Sequence, residues 1–322
     1  MGKEFRQLWD SLPHKPFLGL LLVAWIALFH YFGNAVFGYT NTPSLWIWLN
    51  TLYENAAQAG PEQGNTADDE LGRWVPLLVL ALAWTKRKEI IDSPKEPWAP
   101  ALILVALGLA LHSVGFIIQQ TRLSAFGAIV GAYGLIGTAW GPRLMRTIFF
   151  PYFILLFAIP IASVLPTNKL RLIVASASTQ LCDWILNIKV LRQGTIIYSQ
   201  KGTFHFDVAP ACSGIRSLSV IVLLATCYAF LNFRSFWRIA FVIACSVPLA
   251  ILGNIIRLCV VILVGDVWGQ ERAMMIETKF GFATFLFALG SLFALGALLN
   301  ENRKPRSQSQ QAPEPISPPT AP

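Results

Sequence analysis

A cysteine and an arginine in neighbouring apolar stretches are the residues of this chain best suited to covalent chemistry. Cys212 directly precedes an apolar stretch from Leu218 to Leu231, and Arg257 lies within the next one. A thiol attacks carbonyl groups as the thiolate, and a nearby cation lowers the pKa of a cysteine. An ionisable residue inside a membrane segment is by default a functional candidate. The pair therefore predicts cysteine chemistry at a membrane.

The composition is that of an integral membrane protein. Hydrophobic residues make up 55% of the 322 residues and charged residues 13%, whereas soluble domains carry about 25% charged residues. The formal net charge is +8. Its basic residues collect in the short loops expected to be cytoplasmic, so the charge does not indicate a nucleic-acid partner.

Length and hydropathy predict about eight spans in an all-α fold, since a membrane-crossing helix needs roughly 20 apolar residues. The second span is the shortest in its strongly apolar part, and the seventh contains a proline, Pro248. The predicted spans are 17–38, 74–92, 99–118, 124–141, 147–165, 213–231, 239–264 and 281–299.

The distribution of basic residues predicts that both termini are cytoplasmic. The predicted inner loops are basic around Lys86 to Lys95 and around Arg143, whereas the first outer loop is acidic. This orientation makes the segment before Cys212 extracytoplasmic and predicts a last outer loop over 266–280. Cys212, Arg257 and the residues before Gly281 are then expected at one level of the membrane.

The outer segment 166–212 is predicted to be ordered. Apolar residues recur at helical spacing over Lys169–Ile188, which indicates an amphipathic helix on the membrane surface. Two short strands are expected at 195–198 and 203–208, forming a hairpin that leads to Cys212. An alternative for Cys212 is a disulfide with Cys182, which an extracytoplasmic location permits.

The motifs around these residues resemble the exosortase/archaeosortase family. The resemblance rests on Ala211-Cys212-Ser213-Gly214-Ile215-Arg216 and Asn254-Ile255-Ile256-Arg257, with support from Gln193-Gly194-Thr195 and from 151–160. It covers about 145–299, which we treat as the catalytic membrane region. Residues 1–144 are then N-terminal transmembrane helices, and 300–322 are expected to be a disordered cytoplasmic tail.

The resemblance implies a cysteine transpeptidase in a prokaryotic inner or plasma membrane. Such enzymes are thought to cut a C-terminal sorting signal, made of a short motif, a membrane helix and a basic tail, and to transfer the protein to a cell-surface acceptor. By resemblance, Cys212 is the nucleophile and Arg257 stabilises the thiolate or the oxyanion. Backbone amides near Ser213 and Gly214 would assist. Two further residues are supporting candidates, each with a structural alternative: Arg216 as a lipid-phosphate partner and Asn254 as an interhelical hydrogen-bonding residue.

The third catalytic residue departs from the family pattern. The family's histidine usually precedes Gly-x-x-x-Phe, which matches Gly281 to Phe285 here, but Glu277 or Thr278 stands at the expected position. His205, in the predicted hairpin, is another candidate. The departure leaves open a non-catalytic receptor or assembly factor for the same exported proteins.

Other function classes are disfavoured. A transporter using Arg257 as an anion site would be expected to show internal repeats, and we find none. The sequence contains no metal-ligand spacing and no nucleotide fingerprint, so no cofactor and no metal are expected. The predicted partners are exported proteins and membrane lipids, not nucleic acid, while the oligomeric state is undetermined.

Overall fold

A computed structural model describes residues 2–36, 41–58, 71–160, 167–207, 215–233 and 235–299. These residues are mostly helical, as expected, with one small antiparallel sheet. The helices are α1 (Gly2–Asp10), α2 (Lys15–Phe32), α3 (Leu45–Gln58), α4 (Val75–Thr85), α5 (Arg87–Asp92), α6 (Leu102–Ile117), α7 (Thr121–Phe153), α8 (Thr167–Leu186), α9 (Ile215–Asn232), α10 (Phe236–Trp268) and α11 (Gln270–Leu298). The strands are β1 (Val190–Gln193), β2 (Ile196–Ser199) and β3 (His205–Asp207).

Four helical stretches among the described residues are long and apolar enough to cross a membrane, so the predicted count of eight is not confirmed. They are Lys15–Phe32, Ala99–Ile117, Thr121–Ala158 and Phe236–Trp268; three shorter apolar helices cover Leu71–Thr85, Leu218–Asn232 and Phe282–Leu298. The predicted spans 124–141 and 147–165 both fall largely within Thr121–Ala158. That stretch breaks at Gly141, whose φ of 85° favours glycine.

The last two helices form a long hairpin with almost no loop, which corrects the outer loop predicted over 266–280. Helix α10 runs to Trp268 and α11 begins at Gln270, so Gly269 alone separates them. Gly269 has a φ of 85°, a conformation in which a side chain is strained. Apolar pattern alone did not reveal this turn, because the charged residues on both sides of it resembled a loop.

The predicted amphipathic helix and hairpin are present, with one difference. The side of α8 against α10 is buried at Val174, Ala175, Ser178 and Cys182, whereas Trp184, on the predicted apolar stripe, is 84% exposed, as for a stripe that faces the membrane surface. The difference is that β1 extends the hairpin to a three-stranded sheet ordered β1-β2-β3. The pairing of Tyr198 with His205 confirms the predicted hairpin.

The sheet lies against one end of the C-terminal helices, which we call the sheet end. Lys201 Nζ is 2.8 Å from Asp266 Oδ2 near the end of α10. The buried Phe204 ring packs against Gly265, where a Cβ atom would approach it to 2.9 Å. The sheet therefore sits over the turn at Gly269.

Contacts with α9 show how the N-terminal helices are placed relative to the sheet end. The rings of Phe150 and Phe230 stack with centroids 4.3 Å apart, and Ile154 and Leu223 share an apolar cluster with Val75. Residues later in α7 thus contact residues earlier in α9, so the two helices are antiparallel. The end of α7 therefore points toward the sheet end. The beginning of α4 lies beside it, since a Cβ atom at Gly72 would approach the Ala158 carbonyl oxygen to 2.9 Å. Helix α3, which the sequence did not predict, reaches the same region through the hydrogen bond from Tyr53 to Ala158.

Gly265→Ala is expected to loosen the sheet, because the added Cβ collides with Phe204, and overpacking of this kind costs about 1–3 kcal/mol. Gly290→Ala is the matched control, since nothing lies within 4 Å of the Cβ it would add to α11. The check is hydrogen exchange of residues 190–207. Equal protection in the two variants would contradict the tight Phe204–Gly265 contact.

Candidate active site

Arg257 and Asn254 lie on one face of α10, at a small cavity where three helices meet. The cavity volume is ≈ 30 Å³, and α10 contributes Ala250, Gly253, Asn254 and Arg257 to its wall, while α9 contributes Ile221 and α11 contributes Thr284, Phe285 and Ala288. The spacing of the α10 residues, at i, i+3, i+4 and i+7, places them on one side of a helix. The two predicted residues are thus brought together, and the cavity is large enough for a water molecule.

Close helix packing surrounds this polar cavity. A Cβ atom at Gly253 would lie 3.3 Å from the Thr284 carbonyl oxygen, so α10 and α11 nearly touch there. Asn254 and Thr284 are both buried, and the Nε atom of Arg257 is also buried. Electrostatic interactions of a guanidinium in such a largely buried environment are stronger than in water.

Thr284 is a site residue that the sequence analysis did not single out. It lies within the Gly281–Phe285 pattern, and its hydroxyl donates a hydrogen bond to the Phe280 carbonyl oxygen at 3.2 Å. The available signal was a hydroxyl residue inside an apolar span. That signal is weak, because helical threonines often bond to the preceding turn without any further role.

Helix geometry gives the heights of the beginning of α9 and of Glu277 above the cavity. Ile215, the first residue of α9, is six residues before the cavity residue Ile221, which corresponds to about 9 Å along the helix. Glu277 is in α11, seven residues before Thr284, or about 10 Å. The backbone of Glu277 and the beginning of α9 are therefore at similar heights above these two cavity residues.

Several predicted residues lie outside what can be described. Cys212, Ser213 and Gly214 precede α9 and are outside the described residues. Arg216, Glu277 and Thr278 have a described helical backbone only. Their side-chain roles therefore stay predictions, as does a Cys182–Cys212 disulfide.

His205 is remote from the cavity. Its side chain is exposed on β3, and its backbone N–H donates to Gln270 Oε1 at 3.5 Å. Gln270 begins α11, fourteen residues before Thr284, which is about 21 Å along the helix. His205 thus lies roughly twice as far above the cavity as Glu277.

Two cysteines away from the cavity, Cys182 and Cys259, form a hydrogen-bonded contact between α8 and α10. The thiol of Cys182 hydrogen-bonds to Cys259, and this bond together with burial raises the pKa of Cys182. Cys259 in turn donates to the Ser178 carbonyl oxygen at 3.7 Å. Cys182 is fully buried in an apolar cluster with Leu258 and Ile262, and a protonated thiol is a poor nucleophile, so Cys182 contributes to packing.

Thr284→Val is expected to destabilise the protein by about 1–3 kcal/mol, because a buried hydrogen-bonding group is lost from a polar cavity. Thr147→Val is the control, since the Thr147 hydroxyl bonds to Arg143 in an exposed position. Thermal unfolding of the detergent-solubilised protein provides the measurement. Equal unfolding midpoints for the two variants would show that the Thr284 hydroxyl is not needed in the cavity.

Comparison with known protein families identifies the family of the chain. The family model for transmembrane exosortases matches residues 64–294, more than half of the chain. The chain belongs to the transmembrane exosortase family. Neither the curated proteins nor the solved structures yielded a match.

Membership of the exosortase family agrees with the apolar helices of a multi-pass membrane protein. The match begins at residue 64, well before residue 145, where the resemblance in sequence motifs began. The helices from α4 to α10, and all but the last four residues of α11, thus fall within the family region. Exosortases are membrane transpeptidases for sorting signals. The cavity at Arg257 can be interpreted in terms of that reaction.

Proposed function

We propose that this exosortase is a cysteine transpeptidase that cleaves C-terminal sorting signals of exported proteins and transfers the proteins to a cell-surface acceptor. The observation that carries the proposal is the polar cavity holding Arg257, Asn254 and Thr284 beneath the beginning of α9. The family match supports the reaction class. The substrate would carry a short motif, a membrane helix and a basic tail.

The reaction begins with the thiolate of Cys212. It attacks the carbonyl carbon of the scissile peptide bond, and the carbonyl oxygen becomes an oxyanion in the tetrahedral intermediate. Arg257 stabilises that negative charge, assisted by backbone N–H groups near Ser213 and Gly214 at the N-terminus of α9. Helix N-termini favour anions because their first N–H groups lack partners within the helix.

Collapse of the intermediate breaks the carbon–nitrogen bond. The leaving amine takes a proton, and the rest of the substrate stays on Cys212 as a thioester. An acceptor amine, or water, then attacks the thioester carbonyl and releases the thiol. One residue near Cys212 completes the cycle by acting as both general acid and general base. The height of Glu277 relative to the beginning of α9 favours Glu277 over His205 for this role.

Trapping of the thioester tests the mechanism. Cells would express the wild type, Cys212→Ala or Cys227→Ala, together with an exported substrate that ends in a sorting signal. We expect a hydroxylamine-sensitive adduct and processing in the wild type and in Cys227→Ala, since Cys227 lies further along α9 in an apolar cluster. Cys212→Ala should give neither. Normal processing by Cys212→Ala would exclude thiol catalysis.

The non-catalytic alternative rests on the residues that replace the family histidine, Glu277 and Thr278. A receptor or assembly factor would bind the substrate without forming an adduct. Co-purification of an unprocessed substrate equally with the wild type and with Cys212→Ala would therefore favour that function.

A further inference from the structure

A large apolar cavity lies among the N-terminal helices, apart from the cavity at Arg257. Its volume is ≈ 520 Å³, and its walls come from α2, α3, the beginning of α4, and α7 with the turn that follows it. The apolar wall includes Leu22, Trp25, Trp46, Leu49, Ala132 and Leu155. Ile26 and Trp46 line the cavity and are also exposed, so it opens through the side of the helix bundle.

The polar groups in the wall are already satisfied within the protein, with one exception. Tyr152 donates to the Ile129 carbonyl oxygen at 2.8 Å, and Tyr53 donates to Ala158. Asn50 Nδ2 donates to Glu54 Oε1 at 2.8 Å. Arg73 is exposed at the cavity and makes no hydrogen bond or ion pair within the described ranges.

The cavity is too small to enclose a membrane helix. One helical turn with side chains is about 10–12 Å wide and 5.4 Å long, and therefore fills roughly 400–600 Å³. The cavity could enclose little more than one turn, whereas a crossing helix has about six. A flexible hydrocarbon chain fits an apolar space of this size without leaving a buried backbone group unsatisfied.

The charges at the opening indicate which lipid group would be recognised. Arg73 offers a guanidinium, which binds phosphate through paired N–H donors. Glu54 accepts a hydrogen bond from the wall residue Asn50. Its carboxylate therefore lies close to the cavity, and the opening is not a broadly cationic surface. Recognition would rest on the phosphodiester common to phospholipids rather than on a net negative head group.

We propose that this cavity binds one acyl chain of a phospholipid, with the phosphodiester paired to Arg73. Arg73 precedes α4, beside Gly72, whose added Cβ atom would approach the Ala158 carbonyl oxygen beyond the end of α7 to 2.9 Å. A long arginine side chain can extend its charged group toward the lipid phosphates. Trp74, next to Arg73, is 59% exposed, and tryptophans are enriched near the membrane interface. The site is independent of the proposed peptidase activity.

Native mass spectrometry of the delipidated full-length protein tests the proposal with two probes, phosphatidylcholine and a diacyl galactolipid without phosphate. We expect the wild type to retain one phosphatidylcholine and to bind the galactolipid about tenfold more weakly, as for loss of one charged hydrogen-bonding interaction. Arg73→Gln should weaken phosphatidylcholine binding by a similar factor. Arg146→Gln, which alters an exposed arginine in the second half of α7, should not.

A photoreactive acyl chain on phosphatidylcholine locates the site directly. Crosslinks are expected in peptides from α2, α3 and α4, and Ala132→Phe, which fills the cavity, should abolish them. Absence of retained lipid, equal binding of the two probes, or crosslinks that persist in Ala132→Phe would each overturn the proposal. A dimer lost in Ala132→Phe would instead assign the cavity to a second copy of the chain.

Discussion

Arg257→Gln is expected to lower the rate of sorting-signal cleavage by about 10²–10³-fold, the usual cost of removing one oxyanion-stabilising group. Arg257 lies in the polar cavity between α10, α11 and α9, where the low dielectric strengthens its interaction with a developing negative charge. Substrate binding should change little, because the charge forms only during the reaction. The measurement is single-turnover cleavage by the reconstituted enzyme at saturating substrate.

The fold should survive this substitution. A charged side chain near the centre of a membrane helix costs about 2.5–3.5 kcal/mol on insertion scales, so neutralising Arg257 relieves a cost rather than creating one. Arg257→Lys keeps the charge but loses the planar guanidinium, and we expect intermediate activity.

Arg146→Gln is the control for the loss of one arginine, since Arg146 is exposed on α7. It should leave the cleavage rate unchanged. Wild-type cleavage by Arg257→Gln would mean that Arg257 only anchors α10 by extending its charged group toward the membrane interface.

The amphipathic helix shows what could be predicted from sequence. Its location was clear, because apolar residues recur at helical spacing from Lys169 onward. Its buried face was not, since Ala175, Ser178 and Cys182 pack against α10 while Trp184 is exposed. Close packing of membrane helices selects small residues, so the contact with α10 did not follow from hydrophobicity, although the exposed Trp184 agrees with an apolar stripe facing the membrane surface.

The site was predictable to a similar degree. The motif residues Asn254 and Arg257 are three apart, so a helix places them on one face, and both line the cavity. Thr284 comes from another helix, and its approach to Gly253 depends on how α10 and α11 pack. That packing follows from the one-residue turn at Gly269, which charge and hydropathy patterns did not reveal.

Glu277→Gln is expected to reduce cleavage by about 10²–10⁴-fold, the range for loss of a general acid or base, whereas His205→Gln should change it less than about threefold. The backbone of Glu277 is about 10 Å above Thr284, similar to the beginning of α9 above Ile221. His205 is exposed on β3 and contacts Gln270, about 21 Å above Thr284. Proton transfer requires hydrogen-bond reach or one bridging water, which disfavours His205.

Two further variants separate a proton-transfer role from a structural one. Glu277→His restores the residue type that the family uses before its Gly-x-x-x-Phe pattern, and it should recover activity lost in Glu277→Gln. Its pH–rate profile should differ from that of the wild type, because histidine and glutamate titrate in different pH ranges. Thr278→Val, at the adjacent position, should stay close to wild type. Retained activity in Glu277→Gln together with loss in His205→Gln would reverse the assignment, since it would require β3 to approach Cys212 during the reaction.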